Sequence, residues 1–183
     1  HSQLGDCQDF MKVARITGCG TVLIPDDFNL QFKSSGAILV IDGPDLIVNG
    51  GNFQMDESGS KFIMNGGALR IFGDFQQTEN TVQCITGTSI EVGEEDADEG
   101  FTEGSFNNTG NSQSSANWQN DGGYRYLKDC CINVTQDYQL QSSGSGTGTN
   151  GVDVIIGCCI EIGDRGENNA TGTDFGVSDG DDS

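Results

Sequence analysis

Residues 45–78 read DLIVNGGNFQMDESGSKFIMNGGALRIFGDFQQT, and this stretch decides the fold. A unit beginning DLIVNGGNFQ at Asp45 returns as ALRIFGDFQQ at Ala68, and an earlier copy, TVLIPDDFNLQFKSSG, begins at Thr21. Between the copies, AILVIDG from Ala37 matches KFIMNGG from Lys61. The full period is about 23 to 24 residues, with three short apolar bursts in each. Within a burst the pattern alternates: Val22 and Ile24 flank Leu23, Leu46 and Val48 flank Ile47, and Leu69 and Ile71 flank Arg70. Period-two alternation is the signature of a strand with one buried and one exposed face. Turn-forming tokens separate the bursts, among them Asp42-Gly43-Pro44, Asn49-Gly50-Gly51, Asn65-Gly66-Gly67 and Gly73-Asp74.

Two architectures compete for such a pattern. Asn-Gly between strands favours a type I′ hairpin, and a β-sandwich needs turns at about this spacing. A sandwich, however, has no reason to repeat every third strand, whereas a parallel β-helix does so once per coil. The expected fold is therefore all-β, a single-domain, right-handed parallel β-helix (solenoid) with an N-terminal cap and a long inserted loop. In it Leu46 lies over Leu69 and Phe53 near Phe75, one strand spacing of about 4.8 Å apart. The outward row reads Leu23, Ile47, Arg70, Glu91, Asn133 and Glu161.

The second half repeats with a longer step. Tyr124 to Val134 aligns with Val152 to Ile162, 28 residues on (152 minus 124). Alternation read through the later strand places Val152, Val154, Ile156, Cys158, Ile160 and Ile162 inward, and by the same logic Tyr124 and Tyr126. Cys130 and Cys158 then point inward, Cys131 and Cys159 outward. In-register neighbours fall within the Cα separation that a disulfide tolerates, so a bridge at either pair is open, as is a pair of buried thiols for the inner one. Cys7 and Cys19 are placed to staple a cap.

The division expected along the chain is a cap at 1–20, regular coils at 21–93, an acidic and polar insert at 94–123, longer coils at 124–163 and a polar tail at 164–183. Phe10, Met11, Val13 and Ile16 near helical spacing make the cap the best place for a helix. Chain ends need such covers, because bare strand rims aggregate.

Composition removes several functions. With 28 acids against 8 bases, the formal net charge of the 183 residues is -20. A phosphate backbone is repelled by that charge, which excludes nucleic acid as a partner. No apolar run reaches the roughly 18 residues of a membrane-spanning helix, so no membrane insertion is expected. Seven cysteines, few lysines and many Asn, Ser and Thr suit a secreted or surface location, and the odd count leaves one thiol free or paired elsewhere. The start at His1 suggests a processed chain or a piece of a longer one. Sequons at Asn107, Asn133 and Asn169 are weak signals in so Asn-rich a chain.

His1 is the sole histidine, which leaves no internal imidazole base and no multi-histidine zinc site. Outward carboxylates such as Glu91, Asp129, Asp153 and Glu161 are the only acid–base material, yet a surface this acidic brings carboxylates together by chance. Calcium suits the oxygen-rich runs better: Glu94, Glu95, Asp96, Asp98, Glu99 and Asp164 are the candidate ligands, against the plainer reading of solvated loops. Trp118, beside a polar segment, is the candidate ring for stacking on a sugar.

In its Gly-Gly corners, short strands and late Cys-bearing coils, the chain resembles the parallel β-helix modules of large bacterial surface and secreted proteins, over roughly residues 20–93 and 124–163. The resemblance is architectural and carries no catalytic residue across. It implies spacers, adhesins or passenger segments, some of them carbohydrate-active. The expected function is thus a non-enzymatic extracellular or cell-surface structural or adhesive module, stabilised by calcium, with a glycan or a cell-surface protein as partner, or with self-association or continuation into a larger chain. The alternative is a carbohydrate-binding or carbohydrate-cleaving β-helix protein.

Overall fold

A computed structural model describes residues 13–25, 28–49, 51–93, 118–134, 138–141, 151–162 and 175–178. Its strands form three parallel sheets, and the chain visits them in strict rotation, as the period requires. Sheet I stacks β1 (Val13–Thr17), β4 (Ile38–Asp42), β7 (Lys61–Asn65), β10 (Val82–Thr86), β13 (Tyr124–Lys128) and β16 (Val152–Ile156). Sheet II stacks β2 (Thr21–Ile24), β5 (Asp45–Val48), β8 (Ala68–Ile71), β11 (Ser89–Val92), β14 (Cys131–Val134) and β17 (Cys159–Ile162). Sheet III stacks β3 (Leu30–Gln31), β6 (Phe53–Met55), β9 (Phe75–Thr78), β12 (Trp118–Asp121), β15 (Tyr138–Gln141) and β18 (Phe175–Ser178). The molecule is an all-β parallel solenoid. No helix among the described residues is long and apolar enough to cross a membrane.

Register follows the sequence ladders. Leu46 pairs with Leu69, Phe53 with Phe75, and Tyr124 with Val152. The outward row of sheet II runs Leu23, Ile47, Arg70, Glu91, Asn133 and Glu161, each beside the next. Sheet II lines the interior with aliphatic side chains, from Leu46 and Val48 to Ile132 and Val134. Sheet III contributes an aromatic column in which Phe53 and Phe75 stack at 4.6 Å between ring centroids, and Phe75 and Trp118 at 5.1 Å. In sheet I the inward row changes character along the axis: Leu39, Phe62, Gln83, Arg125, Asp153.

Several expected boundaries and faces need correction. Val13–Thr17 is a strand paired with β4, so this part of the expected cap already belongs to the first coil. Trp118–Asp121, assigned to the insert, is a strand of sheet III, and Phe175–Ser178, assigned to the tail, pairs with β15. The inward set of the late strands is also different. Arg125 and Leu127 face the interior while Tyr124 is 40% exposed, and Val152 and Ile156 are 45% and 46% exposed. The reason lies at the corner between sheets I and II, where one residue takes a left-handed conformation: Gly87 (φ 60°), Asp129 (φ 53°) and Gly157 (φ 65°) occupy it in successive coils. That residue belongs to neither alternating series and shifts the phase by one. Alternation therefore holds separately on each side of the corner. Cys130 and Cys158 remain inward and Cys131 and Cys159 outward, as expected.

Close stacking of corners fixes some glycines. At Gly67 (φ 73°) an added Cβ lies 2.6 Å from the Pro44 carbonyl oxygen of the coil beneath. Gly67→Ala is expected to cost about 1–2 kcal/mol from left-handed backbone strain alone, with the clash adding to it. A fall in the urea midpoint at unchanged slope measures this loss.

Candidate functional site

The solenoid interior carries an unusual charged cluster where the inward row of sheet I meets the aromatic column of sheet III. The Arg125 side chain is fully buried and that of Asp153 is 7% exposed. They form a two-pronged pair, Nη2 to Oδ2 at 2.6 Å and Nε to Oδ1 at 3.0 Å. The Tyr138 hydroxyl donates to Asp153 Oδ2 at 2.7 Å, and Asn120 Nδ2 donates to Oδ1 at 2.7 Å. The guanidinium carbon sits 4.7 Å from the Trp118 ring centroid and 4.4 Å from that of Tyr138. Burial drives the Tyr138 phenol well above its ordinary range; Arg125 opposes this and Asp153 reinforces it, so the hydroxyl stays a hydrogen-bond donor. Two charges taken out of water survive only when they are paired; Arg125 Nε and Nη2 are paired, while its buried Nη1 has no hydrogen-bond partner among the described residues. The cluster is enclosed by strands, so its chemistry is cohesion between coils.

Trp118 belongs to this cluster. It has no exposed surface, stacks on Phe75 and meets Tyr138 edge-on at 5.4 Å. The expectation of a sugar-stacking Trp118 is therefore corrected, because its ring faces the lumen. Asp153 likewise leaves the outward carboxylates. Glu91 and Glu161 do lie in one outward row, but Asn133 separates them, and Glu91 faces Arg70 at 3.5 Å in the preceding coil.

The outside of sheet III carries a second regular feature. Gln31, Gln54, Gln76, Gln119 and Gln139 lie in register. Their amides pass hydrogen bonds along the axis, Gln54 to Gln76 at 3.2 Å, Gln76 to Gln119 at 3.3 Å and Gln119 to Gln139 at 3.1 Å. An amide both donates and accepts, so one residue type continues such a chain without interruption.

Sheet I presents the third feature. Its outward positions include Val13, Ile38, Val40, Ile63, Val82, Cys84, Tyr124, Tyr126, Val152, Val154 and Ile156. One acid of the chain's 28, Asp42, stands on this wall, along with three of the eight bases, Arg15, Lys61 and Lys128. Asp42 pairs with Arg15 at 2.9 Å. An apolar wall with a slight positive excess thus sits on a strongly acidic molecule.

The remaining expected residues divide by position. Cys19, Cys131 and Cys159 are exposed free thiols, Cys130 is buried and Cys158 half-buried. Cys7 and the calcium candidates Glu94, Glu95, Asp96, Asp98, Glu99 and Asp164 lie outside the described residues. Among the described residues no three His, Cys, Asp or Glu side chains converge to hold a metal. No family model, curated protein or solved structure matches this chain.

Proposed function

We propose that the chain is a non-enzymatic structural and adhesive module of a secreted or cell-surface protein, and that the outer wall of sheet I is its adhesive face. The observation that carries this reading is the composition of that wall. Isolated exposed apolar residues are ordinary, but a contiguous exposed apolar face marks a contact surface. With six strands the wall extends about 24 Å along the axis. Its charges favour a cell-surface protein that presents apolar side chains flanked by carboxylates, which Lys61 complements, Lys128 already standing 3.9 Å from Asp129. The solenoid itself suits a spacer, since each coil contacts only its neighbours and length is added without a new core.

A specific observation keeps carbohydrate binding as a second reading. Tyr124 and Tyr126 both face outward on β13, and paired rings beside a flat face suit a sugar. Calcium enters only through the acidic runs of the sequence, and a melting temperature raised by millimolar calcium is its test.

The wall is tested with beads carrying the full chain, applied to cell surfaces before and after protease or glycosidase treatment, and on a glycan array with calcium and with chelator. The proposal expects protease-sensitive binding that falls at least tenfold in Tyr126→Glu, a substitution outside the lumen, and is unchanged in Gln76→Glu on sheet III. Binding equal in both variants removes the wall from the account. Sensitivity to glycosidase, with a saturable array signal, transfers it to the carbohydrate reading.

A further inference from the structure

The two Cys-Cys doublets place four thiols at the same corner of successive coils, and the alternation splits them into two chemically different pairs. Inside, Cys130 and Cys158 are satisfied as thiols. Cys130 donates to the Lys128 and Ile85 carbonyls at 3.3 and 3.5 Å, Cys158 donates to the Ile156 carbonyl at 3.5 Å, and the Cys130 amide donates to Cys158 Sγ at 3.3 Å. Burial pushes the Cys130 thiol up, which keeps it protonated and unreactive. Outside, Cys131 and Cys159 are direct register partners on β14 and β17, and both are exposed. Their Cα atoms stand one strand spacing apart, about 4.8 Å, inside the range that disulfides span.

We infer that Cys131 and Cys159 form a reversible dithiol–disulfide couple that exchanges with small-molecule disulfides of the glutathione type and locks the last two coils together. One outer thiolate attacks a sulfur of the small disulfide, forming a mixed disulfide and releasing the first small thiolate. The second outer thiolate then attacks the protein sulfur of that mixed disulfide, closing the Cys131–Cys159 bond and releasing the second small thiolate. Each released thiolate takes up one of the two protons lost by the cysteines. The two cysteines are oxidised by two electrons in total, and the small disulfide is reduced. The bridge closes a 28-residue loop (159 minus 131). It ties β16 and β17 to the coil before them, where each has its neighbour in β13 and β14. This is independent of what the sheet I wall binds.

The test equilibrates the full chain at low micromolar concentration in mixtures of reduced and oxidised glutathione, alkylates it under native conditions, and maps peptides by mass spectrometry. The expected result is an intramolecular Cys131–Cys159 linkage whose yield follows the glutathione ratio, with Cys130 alkylated only after denaturation. In Cys131→Ser, Cys159 then carries a glutathione mixed disulfide instead. Amide exchange in β16 and β17 slows on oxidation of the native chain and does not change in Cys131→Ser. Outer cysteines that alkylate fully at every ratio overturn the inference, as does a bridge that maps to Cys130–Cys158 or joins two chains.

Discussion

Replacing Asp153 with alanine is expected to destabilise the solenoid by about 3–5 kcal/mol, the cost of leaving one member of a buried ion pair unpaired. Arg125 has no exposed surface and cannot swing to water, because Trp118 and Tyr138 hold its guanidinium on two sides. The substitution also strips acceptors from Tyr138 and Asn120. Removing both charges tells a different story. In Arg125→Met/Asp153→Leu the desolvation of both ions disappears with their attraction, so the double variant should lose far less than either single one. Urea denaturation of the native chain, Arg125→Met, Asp153→Leu and the double variant, with Asp153→Ala beside them, provides the measurement. A change within about 0.5 kcal/mol for Asp153→Ala, the range of an ordinary surface substitution, contradicts the buried pair.

The second large effect is at Trp118. Trp118→Ala is expected to cost about 3–5 kcal/mol, as truncation of a buried aromatic does. The ring fills the aromatic column between Phe75 and Tyr138 and carries the guanidinium on its face. Because Trp118 is the sole tryptophan, the native chain reports on it directly. Its emission should be blue-shifted, and collisional quenching by acrylamide weak until the chain unfolds. Quenching as efficient as for a free indole, with stability unchanged in Trp118→Ala, places the ring outside. A loss of ligand binding in that variant measures unfolding rather than a lost contact.

The repeat was legible because apolar ladders were local and clean. Leu46 over Leu69 and the outward row from Leu23 to Glu161 follow from period-two alternation inside single strands and from the coil length. What escaped was hidden for physical reasons. Alternation does not run through Gly157, whose left-handed φ resets the phase. The lumen is also not wholly apolar, since Arg125 and Asp153 occupy it as an ion pair. Polar neighbours disguised Trp118. A usable signal was present, however: Leu30-Gln31, Phe53-Gln54, Phe75-Gln76, Trp118-Gln119 and Tyr138-Gln139 repeat one dipeptide, large apolar inward and glutamine outward. That series places Trp118 in the column and foretells the glutamine ladder.

The same regularity separates scaffold from surface. All three sheets turn their inner faces to the core, and sheet III adds a run of amide bonds outside, whereas among the described residues the polar bonds across the outer wall of sheet I are confined to its edge, at Arg15–Asp42 and Thr86–Asn65. Its apolar side chains and tyrosines are therefore the part of the repeat that coil stacking does not explain. This asymmetry underlies the adhesive reading.

Coils stack in register on both sides of residues 94–117, and spin–spin distances along the outward row of sheet II test this most directly. Paired nitroxides at Leu23 and Asn133, and at Leu23 and Glu161, lie four and five strand steps apart. The expected separations are about 19 and 24 Å, rising by one strand spacing although Glu161 lies 28 residues (161 minus 133) beyond Asn133. Distances that fail to rise by one spacing, or that place Asn133 away from the line set by Leu23 and Glu91, contradict the solenoid.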